Sequence, residues 1–279
     1  MLISTYTSQT GLFIKPDDSL LVTTIYLSFT RISFELAGVT KLSSIPAILF
    51  FNMTTLSEPI VYYLKSTKLI PNSPKPLLLY KNAFVRDGQV DRTAVFDTFR
   101  ANQWDVQWVV RYGQYQRSHY HSQTHEVMVV VSGPGRIRWG TADLSDDWKE
   151  HTYGKSYEDG GLDVEVNVGD LFVIPAGVAH KSYDPDATSA EFGCLTGAAR
   201  GIEADNPRIA VAEVPLEGFC MMGAYPRGFS WTWDEGGDSA DDFEAVWRIE
   251  NPAADPVTGQ NGGINKYWKN QHQGFKSSM

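Results

Sequence analysis

Gly113-Gln-Tyr-Gln-Arg-Ser-His119-Tyr-His121-Ser-Gln-Thr-His125-Glu126-Val-Met-Val-Val-Val-Ser-Gly133 carries three of the chain's six histidines, and it runs straight into a β-branched apolar segment. Successive side chains on a strand point to opposite faces, so His119 and His121 project together from one face. Two imidazoles at that spacing can share one cation. Glu126 follows the turn-forming Ser-Gln-Thr-His and is expected back on the neighbouring strand, its carboxylate facing the same point. The Val129-Val130-Val131 run then anchors that strand in the core.

A second stretch completes the pattern. Gly169-Asp170 signals a turn, Leu171 to Ile174 a buried strand, and Pro175-Ala176-Gly177 a further tight turn that delivers His180 at the start of the next strand. Three neutral imidazoles and one carboxylate suit Fe, Mn, Ni, Cu or Zn as a single divalent transition metal, and the residues do not choose among them. A six-coordinate ion held by four protein ligands keeps two positions for water, substrate or dioxygen. His125, next to Glu126, should face away from the metal and serve behind the ligands or at the surface. His151 and His272 fall in a loop and in the tail, with no expected role.

Around these stretches β signals dominate. Trp104 to Tyr112, Gly113 to His121, Glu126 to Val131, Arg136 to Gly140, Leu162 to Val168 and Leu171 to Ile174 are short β-favouring runs, most of them separated by Gly, Pro, Asp or Ser. Many short strands between turns indicate a sandwich or barrel, not βαβ units. Three prolines at 71, 74 and 76 impose an extended lead-in to the apolar Leu77 to Tyr80. Residues 91–103 predict one short helix, with Val95, Phe96 and Phe99 on one face and Asn102 as its stop. Residues 141–161 read as an exposed acidic loop. Residues 184–218 read as a long irregular connection, and 234–242 as a solvated acidic loop without calcium-site spacing. Lys181 and Asp184 are expected to be exposed.

The chain divides on this reading into an N-terminal extension of uncertain role over 1–52, a domain over 53–270 and a flexible tail over 271–279. Met53 begins a segment that reads like a normal start, which would make the first 52 residues an extension not required by the fold, such as an upstream mis-start; the competing reading is an extra strand or a docking arm. At 279 residues, 42% hydrophobic and 20% charged, the chain can bury a sizeable core. Its net charge of −9 argues against a nucleic-acid partner. No run has the length of a membrane span, no secretory leader is evident, and Cys194 and Cys220 lack zinc-ribbon spacing; these features are those expected of a cytoplasmic protein with reduced thiols.

The two stretches resemble the motifs of the cupin superfamily (RmlC-like). The first motif, Gly, five residues, His-x-His, three or four residues, Glu, six residues, Gly, is met by Gly113, His119, His121, Glu126 and Gly133. The second is met by Gly169, Pro175, Gly177 and His180, with Asp184 where the usual Asn stands. Asn72-Ser-Pro-x-Pro-Leu, Trp104, Trp108, Gly223-Ala-Tyr-Pro and Asp255-Pro-Val-x-Gly further resemble the YjlB-type single-domain cupins. The resemblance implies an all-β, single cupin barrel (a double-stranded β-helix or jelly roll) with a few short helices and an N-terminal extension. It implies a metal held by His119, His121, Glu126 and His180.

Function is expected to follow the metal: an Fe(II)-type oxidoreductase or dioxygenase acting on a small organic molecule. The alternatives are a metal-dependent isomerase or lyase of a sugar or keto acid, and a non-catalytic metal or small-ligand binder. Tyr115 and Arg117 share strand parity with His119, and Met128 shares it with Glu126, so all three are pocket candidates. A small-molecule partner is expected, with no membrane partner, and a homodimer through edge strands is plausible.

Overall fold

A computed structural model of the chain describes residues 57–189 and 192–268. The expected extension over 1–52, the tail over 271–279 and His272 lie outside the described residues. The elements in order are β1 (Ile60–Tyr62), β2 (Leu77–Tyr80), β3 (Val85–Arg86), β4 (Gln89–Val90), α1 (Arg92–Ala101), β5 (Trp104–Arg111), β6 (Glu126–Ser132), β7 (Gly135–Trp139) and α2 (Trp148–Thr152). They continue with β8 (Leu162–Val166), β9 (Leu171–Ile174), β10 (His180–Tyr183), β11 (Gly193–Cys194), α3 (Pro207–Glu213), β12 (Cys220–Pro226), α4 (Phe243–Trp247) and α5 (Gly263–Tyr267).

Two antiparallel sheets face each other as a jelly-roll barrel. The larger runs β1-β2-β9-β6-β12-β5-β11 and the smaller β10-β7-β8. Both faces of the larger sheet are covered, which explains why its strands read as continuous apolar runs instead of alternating. Along β6, Met128 and Val130 point into the barrel and pack with Trp108, Ile137, Trp139 and Phe172. Val127, Val129 and Val131 point the other way, onto a second apolar cluster that includes α1, α3 and α5.

The helix expected over 91–103 forms as α1. Asp91 caps it by accepting from the Ala94 amide at 3.0 Å, and Asn102 ends it. Val95, Phe96 and Phe99 are its buried face, each contributing roughly 1.5–3 kcal/mol by leaving water.

Three sequence expectations are corrected. Gly113 to His121 is not a strand; it is an irregular arm with only two isolated bridges, His119 to His180 and Tyr120 to Asp234. Side chains take the place of ladder partners there. Gln116 Oε1 accepts from the Ser182 amide at 2.8 Å, and Asp143 Oδ2 accepts from the Ser118 amide at 2.9 Å. Residues 141–161 are not simply an exposed loop, since they contain α2 and bury Asp143, His151 and Thr152. Residues 184–218 contain β11 and α3, the latter capped by Asn206 with Pro207 in its first turn.

Candidate metal centre

His119 and His121 arrive on one arm, between β5 and β6, and His180 arrives at the start of β10. His119 and His180 are fixed against each other by reciprocal backbone hydrogen bonds, His119 N to His180 O at 3.1 Å and His180 N to His119 O at 2.8 Å. His121 O accepts from the Gly177 amide at 2.9 Å, tying the first stretch to the tight turn before β10. Gly177 sits at φ +87°, and a Cβ there would lie 2.5 Å from Asn72 O, so both conformation and space demand glycine.

The three rings are buried, and one nitrogen from each lies within 4.8 Å of the others. Every Nδ1 is already committed. His119 Nδ1 donates to Arg117 O at 3.1 Å, His180 Nδ1 to Val178 O at 3.2 Å, and His121 Nδ1 to Thr232 O. Those bonds fix the tautomer and leave the Nε2 lone pairs free to converge.

Glu126 flanks the cluster. Its Oε2 lies 3.3 Å from both His121 Nε2 and His180 Nε2, while its Oε1 accepts from the Tyr225 hydroxyl. Neither Oε2 nor His121 Nε2, both buried, makes a hydrogen bond, although they face each other at 3.3 Å. Unpartnered buried acceptors are costly. Two of them beside three pre-oriented imidazoles fit a bound cation.

The electrostatics separate the rings: His119 is held neutral, whereas Glu126 draws His121 toward its protonated form when no cation is bound. Burial, then the neighbouring His180 and His121, push the His119 pKa well below the usual range, keeping it a neutral donor. Burial raises the Glu126 pKa, but the charges of His121 and His180 outweigh it and hold the carboxyl ionised. Burial likewise opposes protonation of His121, and Glu126 reverses that, so its pKa rises.

His125 stands apart, as expected. Its Nδ1 accepts from the Ala176 amide at 2.8 Å, its Nε2 donates to Glu250 O at 3.0 Å, and its ring packs on Trp268. Burial and the charge of Lys75 hold its pKa down to about 3.

A cavity of about 140 Å³ opens in front of the three imidazoles. Met128 lines it as expected, but Tyr115 and Arg117 do not. Parity fails for those two because the arm carries no ladder, and Gln116 turns inward instead. Tyr115 stacks on Trp148 at 5.0 Å, and Arg117 pairs with Glu235 and Asp146. Arg117 still reaches the site indirectly. Glu235 Oε1 accepts from Trp233 Nε1 at 3.0 Å, and the Trp233 ring stacks on His119 at 3.7 Å and 7°.

Lys181 also departs from expectation, being fully buried behind His180. Its Nζ donates to Asp143 Oδ1 at 2.9 Å and to His151 Nδ1 at 2.6 Å, and burial pushes its pKa down to about 8. The sequence reading missed Tyr225, Trp231 and Trp233. Tyr225 lay inside the quoted Gly223-Ala-Tyr-Pro, and the alternating Trp231-Thr-Trp233 was the available signal for the other two.

A family profile described as Cupin matches residues 110–211, which include all four expected ligands. A Bacillus subtilis (strain 168) protein described as uncharacterized protein YjlB is 27% identical over 217 residues, spanning 76% of this chain and 97% of that protein. A Bacillus cereus (strain B4264) protein described as a 5'-methylthioadenosine/S-adenosylhomocysteine nucleosidase is 30% identical over 138 residues, 47% of this chain and 59% of its own length. Among solved structures, RmlC from Streptococcus suis in complex with dTDP-D-xylose aligns over 63% of this chain and 74% of that one, at 9% identity and a TM-score of 0.27. Oxalate decarboxylase from Bacillus subtilis aligns over 64% of this chain and 30% of that one, at 10% identity and a TM-score of 0.24. Superpositions that loose carry no reaction across. No helix among the described residues is long and apolar enough to cross a membrane.

Proposed function

We propose, from the premise that this chain belongs to the cupin superfamily, that it is a metal-dependent oxidoreductase of the Fe(II) dioxygenase type acting on a small organic molecule. The observation that carries the reading is the convergence of three buried imidazoles whose Nδ1 atoms are all spent on backbone carbonyls, beside a carboxylate oxygen without a partner.

His119, His121, His180 and Glu126 would hold the ion, and the chemistry it supplies there is open coordination positions for substrate and dioxygen. The protein's own part is orientation and exclusion of water. Tyr225 steers Glu126 through its hydroxyl, and is itself held by Trp108 Nε1 at 3.1 Å. Trp233 covers the His119 ring, which restricts the approach to the cluster to the cavity side. A dioxygenase reaction balances without an added reductant, because the substrate gives four electrons to O₂ and receives both oxygen atoms.

The test begins with elemental analysis of protein purified without a metal-affinity tag, where about one transition-metal ion per chain is expected. Anaerobic reconstitution with Fe(II) and measurement of O₂ uptake with phenols and small acids follow. A chain that binds no transition metal, or that turns over equally well without oxygen, refutes the reading.

A further inference from the structure

The cavity in front of the imidazoles has one polar end, and the rest of its wall is apolar and aromatic apart from the amide of Gln116, whose Oε1 accepts from the Ser182 amide. At the polar end stand His121 Nε2 and Glu126 Oε2, the two buried atoms without partners. The three indoles of the wall and the Tyr225 phenol have their donors committed, which leaves Gln116 and the Tyr112 phenol as the wall's further polar groups. Trp108 Nε1 donates to Tyr225 Oη at 3.1 Å, Trp231 Nε1 to Ala199 O at 2.7 Å, and Trp233 Nε1 to Glu235 Oε1 at 3.0 Å. The Tyr225 hydroxyl is spent on Glu126. These residues therefore offer ring faces only, joined by Val110 and Met128.

Charge and size narrow the occupant further. Among the described residues lining the cavity, Glu126 is the one charged side chain besides the histidines, and no Lys or Arg is present. The nearby Arg200 is spent on the outside, with its guanidinium stacked on Trp231 at 3.8 Å and bonded to Ser230 Oγ at 3.1 Å. A carboxylate or phosphate would enter without a protein cation to meet it, and a sugar would find few partners for its hydroxyls. The volume of about 140 Å³ is close to that of an apolar cavity that takes up benzene, roughly 150 Å³. Nucleotide sugars are far larger.

We propose that the ligand of this site is a neutral, planar, single-ring aromatic molecule bearing one polar edge, of the phenol class. The ring is held between aromatic walls, and the polar edge meets the histidine and glutamate end. This inference rests on the cavity being the reaction site described above, but it concerns ligand class and is read out by binding.

The experiment is calorimetric titration of the full-length protein, as purified and with its metal content measured, using phenol, benzoate, xylose and 2-naphthol. Phenol is expected to bind at one per chain and at least tenfold more tightly than the other three. Trp233→Ala, at a position 40% exposed at the cavity mouth, should weaken phenol about two- to tenfold by removing a ring face. Val110→Phe, which fills the cavity, should abolish binding. Should Val110→Phe fail to fold, the Trp233→Ala result and the ligand ranking decide alone. Benzoate or xylose binding more tightly than phenol overturns the inference, as does phenol binding indifferent to both substitutions. A protein that carries metal yet ignores phenol refutes the ligand class and leaves the oxidoreductase reading standing. A protein that binds phenol without any metal does the reverse.

Discussion

Replacing Lys181 with methionine removes a charge from a place where water cannot substitute for it. Lys181 and Asp143 are both buried, with the Nζ to Oδ1 distance at 2.9 Å, and the same Nζ reaches His151 Nδ1 at 2.6 Å and His151 O at 3.2 Å. Methionine keeps most of the volume and takes away every donor. Asp143 is left as a buried carboxylate supported by the Ser118 amide and by His151 Nδ1 at 3.3 Å, and breaking a buried pair on one side costs about 3–5 kcal/mol. For a domain of this size each kcal/mol lowers Tm by roughly 2–4 °C, so a fall of about 6–20 °C is expected. The double variant Lys181→Met with Asp143→Asn removes both charges and should recover at least half of that loss. Because Asp143 also fixes the amide next to His119, the single variant should weaken metal binding about 10–100-fold. Urea and thermal unfolding of the parent, both single variants and the double variant give the cycle. A Lys181→Met cost below about 1 kcal/mol is what a solvated surface pair gives, and it would refute the claim that this network is a buried support of the site.

Other perturbations test separate parts of the same account. Tyr225→Phe removes the hydroxyl that holds Glu126 and accepts from Trp108, and should lower metal affinity about 10–100-fold with little change in fold, as measured by metal competition. Gly223→Ala would place a methyl 2.0 Å from Trp108 Cζ2, so about 1–3 kcal/mol of overpacking is expected in urea unfolding, together with weaker phenol binding as Trp108 is pushed toward the cavity. Lys75, buried in a groove beside Ile249, has its pKa pushed down to about 8 by burial. The unfolded chain therefore binds more protons than the folded one between pH 8 and the ordinary lysine range, and stability contributed at this residue rises with pH through that window. Lys75→Met should flatten the rise relative to the parent, and unfolding free energies with identical slopes from pH 7.5 to 10.5 would count against it.

The three converging imidazoles were legible because two local spacings and one turn sufficed to bring them together. His119 and His121 do project toward one point, although they do so from an arm held by Gln116 and Asp143 and not from a ladder. The same difference removes Tyr115 and Arg117 from the cavity. Parity is a property of paired strands, and a two-residue period has no force where side chains supply the backbone partners. The long apolar runs were legible as buried strands, but the sequence alone could not say that helices cover the far face of the larger sheet, since α3 carries only one fully buried residue, Val211.

What stayed hidden was the outer half of the site, and the cause is separation along the chain. Thr232, which accepts from His121, lies 111 residues from it, and Asp234 is joined to Tyr120 by reciprocal backbone bonds across a similar interval. No periodicity marks a segment whose conformation is set by a partner so distant. Lys181 and Asp143 illustrate the same limit for charge. Each reads as exposed by itself, because isolated charges are rarely buried, and only the 38-residue closure between them makes both burials tolerable. The histidine cluster is thus written in local motifs, whereas the part of the cavity wall that holds Trp231 and Trp233, the latter stacked on His119, is written in a loop whose meaning depends on where the barrel carries it. The proposed ligand class accordingly rests on the walls of the cavity, and the proposed metal on the motifs.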